Sequence, residues 1–178
     1  DLKATERAID SLYRLSRPGL FQLDPEGVHD RAIRSLAAIS GDQRLLQSLE
    51  RSAPEPDPRL RVHIFDQELP LPLGIAAGFD KNALAFPALL ALGFGSVETG
   101  TVTPLPQLGN PKPRVFRLSE DRALINRMGF PNHGVEEALN NLIRLRQPSR
   151  IIGCNIGPNK AAVEAGTMAR GVVACISP

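Results

Sequence analysis

Three short stretches of this chain place glycine beside amide, hydroxyl and ammonium groups. They are Ala77-Gly78-Phe79-Asp80-Lys81, Glu98-Thr99-Gly100-Thr101 and Asn155-Ile156-Gly157-Pro158-Asn159-Lys160. Glycine lets backbone approach a flat or anionic ligand closely. Hydroxyl and amide side chains can hydrogen-bond the edge of a heterocycle. A lysine holds an anion or stabilises developing negative charge. A fourth stretch, Asn126-Arg127-Met128-Gly129-Phe130, adds an amide with both donor and acceptors. Arg127 can pair with a ligand carboxylate or with a nearby acid in a purely structural pair. Met128 and Phe130 also suit plain packing, and glycine with polar residues is how ordinary loops begin.

The elements around these residues decide which reading gains weight. Each of the first three stretches follows a short apolar run: Leu73–Ala77, Ser96–Val102 and Arg150–Ile156. These runs read as buried strands. Between them the pattern predicts helices over 83–92, with Pro87 in its first turn or at a kink, and over 135–146, with Leu139, Leu142 and Ile143 on one face. Val62–Phe65 reads as a short strand, and 114–118 with 123–126 as a hairpin across 119–122. Strand and helix alternate as in a parallel α/β protein, where the carboxyl ends of the strands form the active face.

The N-terminal part differs. Leu2, Ile9, Leu12 and Tyr13 have helical spacing, ended by Arg17-Pro18-Gly19. Asp24-Pro25-Glu26 is a helix start, with Val28, Ala32, Ile33, Leu36 and Ala37 along one side and Gly41 at its end. Asp42 starts a third helix carrying Leu45, Leu46 and Leu49. The proline-rich stretch near residues 53–60 then marks a boundary. The expected organisation is therefore a helical extension over 1–52, a linker over 53–60 and an α/β part over 61–178.

The 178 residues suffice for a sizeable core. A net charge of +2 gives no sign of nucleic-acid binding. Residues 71–178 hold eleven basic against seven acidic side chains, which suits an anionic ligand as well as chance scatter. No apolar run is long enough to span a membrane. Cys154 and Cys175 match no metal spacing and read as buried free thiols. There is no GxGxxG after a strand and no GxxxxGK[ST]. The chain starts at Asp1 and ends on Ile176-Ser177-Pro178, and is expected to be a fragment.

Taken together and in order, FQLDPEGVH, PLGIAAGFDKN, LGFGSVETGTVTPLPQLGNPKPRVFRL, INRMGF and GCNIGPNK resemble the class 2, quinone-dependent dihydroorotate dehydrogenases, in their N-terminal half. The resemblance implies a (β/α)8 barrel, present here in its first strands, with FMN at the carboxyl ends. Ala77, Gly78, Phe79, Asp80, Lys81, Thr101 and Asn155 would contact FMN. Lys81, Asn126, Arg127, Met128, Gly129 and Phe130 would bind dihydroorotate or orotate, Asn126 most directly. A membrane quinone would reoxidise the flavin, in pyrimidine (UMP) synthesis. The helices before the barrel would rest peripherally on the cytoplasmic face of a bacterial membrane, or on the inner mitochondrial membrane, and frame the quinone tunnel beside Arg114.

The tail departs from the family pattern. The family's next strand ends Asn-Ile-Ser-Ser-Pro-Asn-Thr, whereas this chain reads Ala174-Cys175-Ile176-Ser177-Pro178. The catalytic base is therefore unassigned, with Ser177 the serine nearest its place. Pro131 also stands where the family has asparagine. The isolated polypeptide is expected to be inactive. The alternatives are a truncated or degraded copy without catalysis, and a different FMN-binding barrel, which would lack INRMGF.

Overall fold

A computed structural model describes the backbone of residues 2–64 and 66–176, with side chains from residue 10 onward. Helix α1 (Leu2–Gln22) runs straight through Pro18 and Gly19 instead of breaking there. A proline removes one ladder bond, and on this exposed helix water can solvate the freed carbonyl. The side chains of Leu2 and Ile9 lie outside the described residues. Helix α2 (Pro25–Ser40) starts where expected, with the Asp24 carboxylate accepting the Gly27 N–H at 2.6 Å. Its fully buried positions are Glu26 and Ser40; of the expected aliphatic side Ile33 and Leu36 pack against the core, while Ala32 is exposed. Helix α3 (Gln43–Ser52) is capped by Asp42, which accepts the amides of Arg44 and Leu45.

The proline-rich stretch ends in a 3-10 turn at Pro58–Leu60. Strand β1 (Val62–Ile64) pairs antiparallel with β2 (Gln67–Leu69), a hairpin the sequence pattern did not reveal. Phe65, assigned to the first of these strands, lies outside the described residues. The parallel sheet is β3 (Gly74–Ile75), β4 (Ser96–Val102) and β7 (Ile151–Ile156), in the order β3-β4-β7. Only β4 is a buried strand, because it alone of the three has a neighbour on both sides. Leu73, expected inside a buried strand, is 57% exposed, and β7 is half-buried with Cys154 facing out. An edge strand has no partner to cover its outer flank.

Helix α4 (Phe86–Ala91) connects β3 to β4, and Pro87 stands in its first turn. All six of its residues are buried. Phe86, Leu89 and Leu90 form the core with Ala83, Ala85, Val97 and Leu145, and Ile33, Leu36, Phe79 and Ile152 pack against it. Helix α5 (Val135–Arg144) precedes β7. Its inward face is Ala138, Asn141 and Leu142, continued by Leu145 just past its end, whereas Leu139 and Ile143 are exposed. The inward stripe lies about 100° round the helix from the expected one. Strands β5 (Val115–Leu118) and β6 (Ala123–Asn126) form the expected hairpin, with Val115 opposite Asn126. The tail is helical: α6 (Lys160–Glu164) and α7 (Met168–Val173), then a turn to Ile176. No strand forms over 172–176, where the family pattern has one, and Ser177 lies outside the described residues.

Candidate active site

The carboxyl ends of the three parallel strands converge. The Gly78 N–H donates to the Gly100 carbonyl at 2.7 Å, and the Gly100 N–H donates to the Asp80 carbonyl at 2.9 Å. Two strand-end loops are thus tied together through their glycine backbones. Gly100 needs to be glycine: its φ is +99°, and a Cβ there would run into the Asn155 carbonyl. Next to Gly100 on β4, the Thr101 hydroxyl donates to Asn155 Oδ1 of β7 at 2.7 Å.

Asp80 has a different task from the one its place beside Lys81 implied. It is fully buried, and its carboxylate accepts the amides of Leu84, Ala85 and Phe86 at 2.9, 2.8 and 2.9 Å. It caps α4 and orients the loop that carries Lys81. Phe79 also turns inward. Its ring meets His29 of α2 edge-on, 5.2 Å between centroids. Lys81 Nζ stands 3.3 Å from His29 Nε2. Burial pushes the Lys81 ammonium below the usual lysine range, with Asp30, Glu26 and Asp80 pulling the other way. Burial, then the Lys81 charge, holds His29 below the usual imidazole value. The lysine is a charge kept partly dry at the mouth of the sheet.

A cavity of ≈ 540 Å³ opens here. Ala77, Gly78, Lys81 and Thr101 line one side, Asn126–Phe130 another, and Pro25 and His29 of α2 close it. The structure therefore brings two of the sequence-derived groups together. Of the residues expected to contact a flavin, Ala77, Gly78, Lys81 and Thr101 face this space. Asn155 reaches it through Thr101, and Phe79 and Asp80 support it from behind. Asn126 is exposed, and its side chain accepts only the Met128 amide, at 3.4 Å. The Arg127 guanidinium donates to the Pro113 carbonyl at 3.1 Å, and among the described residues it pairs with no acid.

A planar ring fits this lining. Gly78 has φ +103°, and the place where its Cβ would stand is open space. Ala77 and Thr101 beside it are small. A flat heterocycle could lie on this floor with its edge toward the Lys81 ammonium.

Several residues shape the site through contacts that carried no sequence signal, although Asn159 itself lies in a stretch singled out above. Asn132 Oδ1 accepts the Thr103 and Gly134 amides at 3.2 and 2.8 Å, and its Nδ2 donates to the Phe130 carbonyl at 2.9 Å. Gln107 Nε2 donates to the Gly129 carbonyl at 2.9 Å. Asn159 Nδ2 donates to the Leu105 carbonyl at 2.8 Å. These amides join loops 103–113, 126–134 and 157–160. Each of the three has a partner 22 to 54 residues distant, and no spacing rule reaches that far.

The model of the dihydroorotate dehydrogenase family matches residues 59–172. The dihydroorotate dehydrogenase (quinone) of Thermus thermophilus is 55% identical over 143 residues, covering 79% of this chain and 41% of that protein. That of Rhodospirillum rubrum is 45% identical over 167 residues, 93% and 43% of the two chains. The crystal structure of DHODH from Eimeria tenella in complex with ferulenol superposes with a TM-score of 0.64 at 41% identity, over 77% of this chain and 36% of that one. The chain spans about two fifths of the length of the curated relatives it matches. The fold is part of a TIM barrel, preceded by helices. The chain belongs to the dihydroorotate dehydrogenase family and resembles its quinone-dependent class.

Proposed function

We propose that this chain is the N-terminal part of an enzyme that oxidises dihydroorotate to orotate with FMN and passes the electrons to a quinone, in UMP synthesis. The observation that carries this is the single cavity shared by Ala77, Gly78, Thr101, Lys81 and the 126–130 loop. FMN, when bound, supplies the redox step. The chain's own residues bind and orient. Ala77, Gly78 and Thr101 offer a flat floor. Asn126 offers a donor and an acceptor to the amide edge of a pyrimidine. Lys81 offers positive charge where substrate and cofactor gain negative charge. The catalytic base is not assigned to any residue of this chain.

The quinone and membrane part of the proposal rests on α1. Leu12, Leu15, Leu20 and Phe21 are exposed along it, Leu15 by 80%. Among the described residues no helix is long and apolar enough to cross a membrane. An exposed helix with these residues suits the interface instead, on the cytoplasmic face in a bacterium or the inner mitochondrial membrane in a eukaryote. Residues 1–52 are then the membrane-associated extension and 61–178 the first part of the barrel. The charge balance offers nothing to nucleic acid.

The test takes the natural protein that carries this sequence. Its visible absorbance is recorded, and dihydroorotate is added without oxygen. Flavin bands that bleach, and return on adding a quinone, are the expected result. A protein without flavin, or with flavin that dihydroorotate does not reduce, overturns the reading. That outcome would favour a copy without catalysis, a second reading supported by the helix and turn over residues 168–176. The isolated 178-residue chain is expected to show no turnover, since it supplies three parallel strands of a barrel built from eight.

A further inference from the structure

Glu26 of α2 and Arg114 are 88 residues apart, and each is only 7% exposed. Arg114 Nη2 donates to Glu26 Oε1 at 2.6 Å, and Nε lies 3.2 Å from both carboxylate oxygens. Nη1 donates to the carbonyls of Leu108 at 2.7 Å and Asn110 at 2.9 Å, and more weakly to that of Met128 at 3.5 Å. One guanidinium N–H is left over. Lys112 Nζ stands 3.3 Å from the same carboxylate. The hydrogen bond from Arg114 leads the effects that hold the Glu26 carboxyl below the usual carboxylate range, so the pair stays charged.

Asn110 carries the link onward. Its N–H donates to the Met128 carbonyl at 2.9 Å and its Nδ2 to the Arg127 carbonyl at 2.8 Å. The Arg127 N–H donates to the Arg114 carbonyl at 2.8 Å. The backbone of residues 127–128 is thus gripped by Arg114 and Asn110, with Glu26 as the anchor. Buried ion pairs add little net stability, yet removing one partner leaves a costly unpaired charge. Such a pair fixes geometry better than it supplies energy.

We infer that Glu26 and Arg114 form a positioning pair, through which helix α2 sets the backbone of the 126–130 loop and thereby its grip on the pyrimidine. This rests on the function proposed above. It gives Arg114 a task distinct from lining a quinone path, since four of its five N–H groups are engaged by Glu26 and loop carbonyls. The fork geometry matters: lysine would match the charge of Arg114 but not its reach to two groups at once.

The test uses the flavin-loaded protein and three variants, Glu26→Gln, Arg114→Lys and Asn110→Ala. Orotate affinity is read from the flavin absorbance, and the KM values of dihydroorotate and quinone are read separately. All three variants are expected to weaken orotate binding roughly tenfold at unchanged flavin content, with quinone KM within about twofold of the parent. Asn110→Ala keeps the ion pair, so it decides the matter should the charge variants fail to fold. Unchanged orotate affinity in folded variants, or a rise confined to quinone KM, overturns the coupling alone. A parent protein that binds no orotate overturns the functional reading as well.

Discussion

Lys81 Nζ meets His29 Nε2 at 3.3 Å, joining the cavity floor to the helical extension. Protonating His29 would set two cations against each other, so the contact needs a neutral imidazole. Its folded value lies below the usual one, chiefly through burial. In that window the unfolded chain binds the proton and the folded one does not. Stability from this group is therefore full above about pH 6.5 and falls on acidification below it. Glu26 acts lower: its depressed carboxyl gives stability that is lost as pH drops below its usual range, near about 4.5. His29→Asn is expected to flatten the loss that begins below about pH 6.5 and to leave the lower one intact. Urea midpoints across pH 4 to 8 check this, and a variant with the parent profile would sink it.

Lys81 sets stability against function. Its ammonium is partly buried, so at neutral pH the folded state bears a desolvation penalty that the unfolded chain does not. Lys81→Met removes the penalty and the charge together. The urea midpoint is expected to rise, while reduction of the flavin by dihydroorotate slows by about a hundredfold or more. Stopped-flow absorbance reads the rate. A variant that lost stability, or kept its rate, would contradict the role given to this lysine.

Asp80 sits one residue away and behaves differently. With three buried amides on its carboxylate, Asp80→Ala is expected to cost about 1–3 kcal/mol. Asp80→Asn retains one acceptor oxygen and should cost less. Denaturant unfolding gives both values, and equal stabilities for parent and alanine variant would refute the capping role.

Asp80 also shows where sequence reading succeeds and where it stops. Asp24 and Asp42 were legible as caps because each stands directly before an apolar helical run. Asp80 precedes its helix by six residues, and its neighbour Lys81 drew attention to a ligand instead. The parallel order of strands and helices followed from alternating apolar runs. Their burial did not, because Leu73 and Cys154 are covered only if a further strand lies beside them. The clusters Ala77–Lys81 and Asn126–Phe130 stood out because each is local, whereas Pro25 and His29, which close the same cavity, did not. The pair Glu26–Arg114 and the amides of Gln107, Asn132 and Asn159 join distant segments, and pairing across such distances leaves no trace in spacing.

The helical extension gives the last prediction. Helix α1 is exposed from residue 10 onward, and its end is tied to the hairpin by Arg117, which donates to the carbonyls of Phe21 and Leu23 at 3.1 and 2.7 Å. Arg17 and Arg117 both lie over the Phe21 ring, at 4.8 and 5.0 Å from its centroid. These are surface contacts, and none involves the cavity. Removing residues 2–20 from the natural protein is therefore expected to leave the bleaching of flavin by dihydroorotate nearly unchanged. Flotation with anionic phospholipid vesicles should be lost, and turnover with a membrane-embedded quinone should fall by about tenfold or more, while a water-soluble quinone is reduced as before. Flotation that persists without α1 would move the membrane contact to another face, and failure of the bleaching step would show that α1 supports the barrel itself.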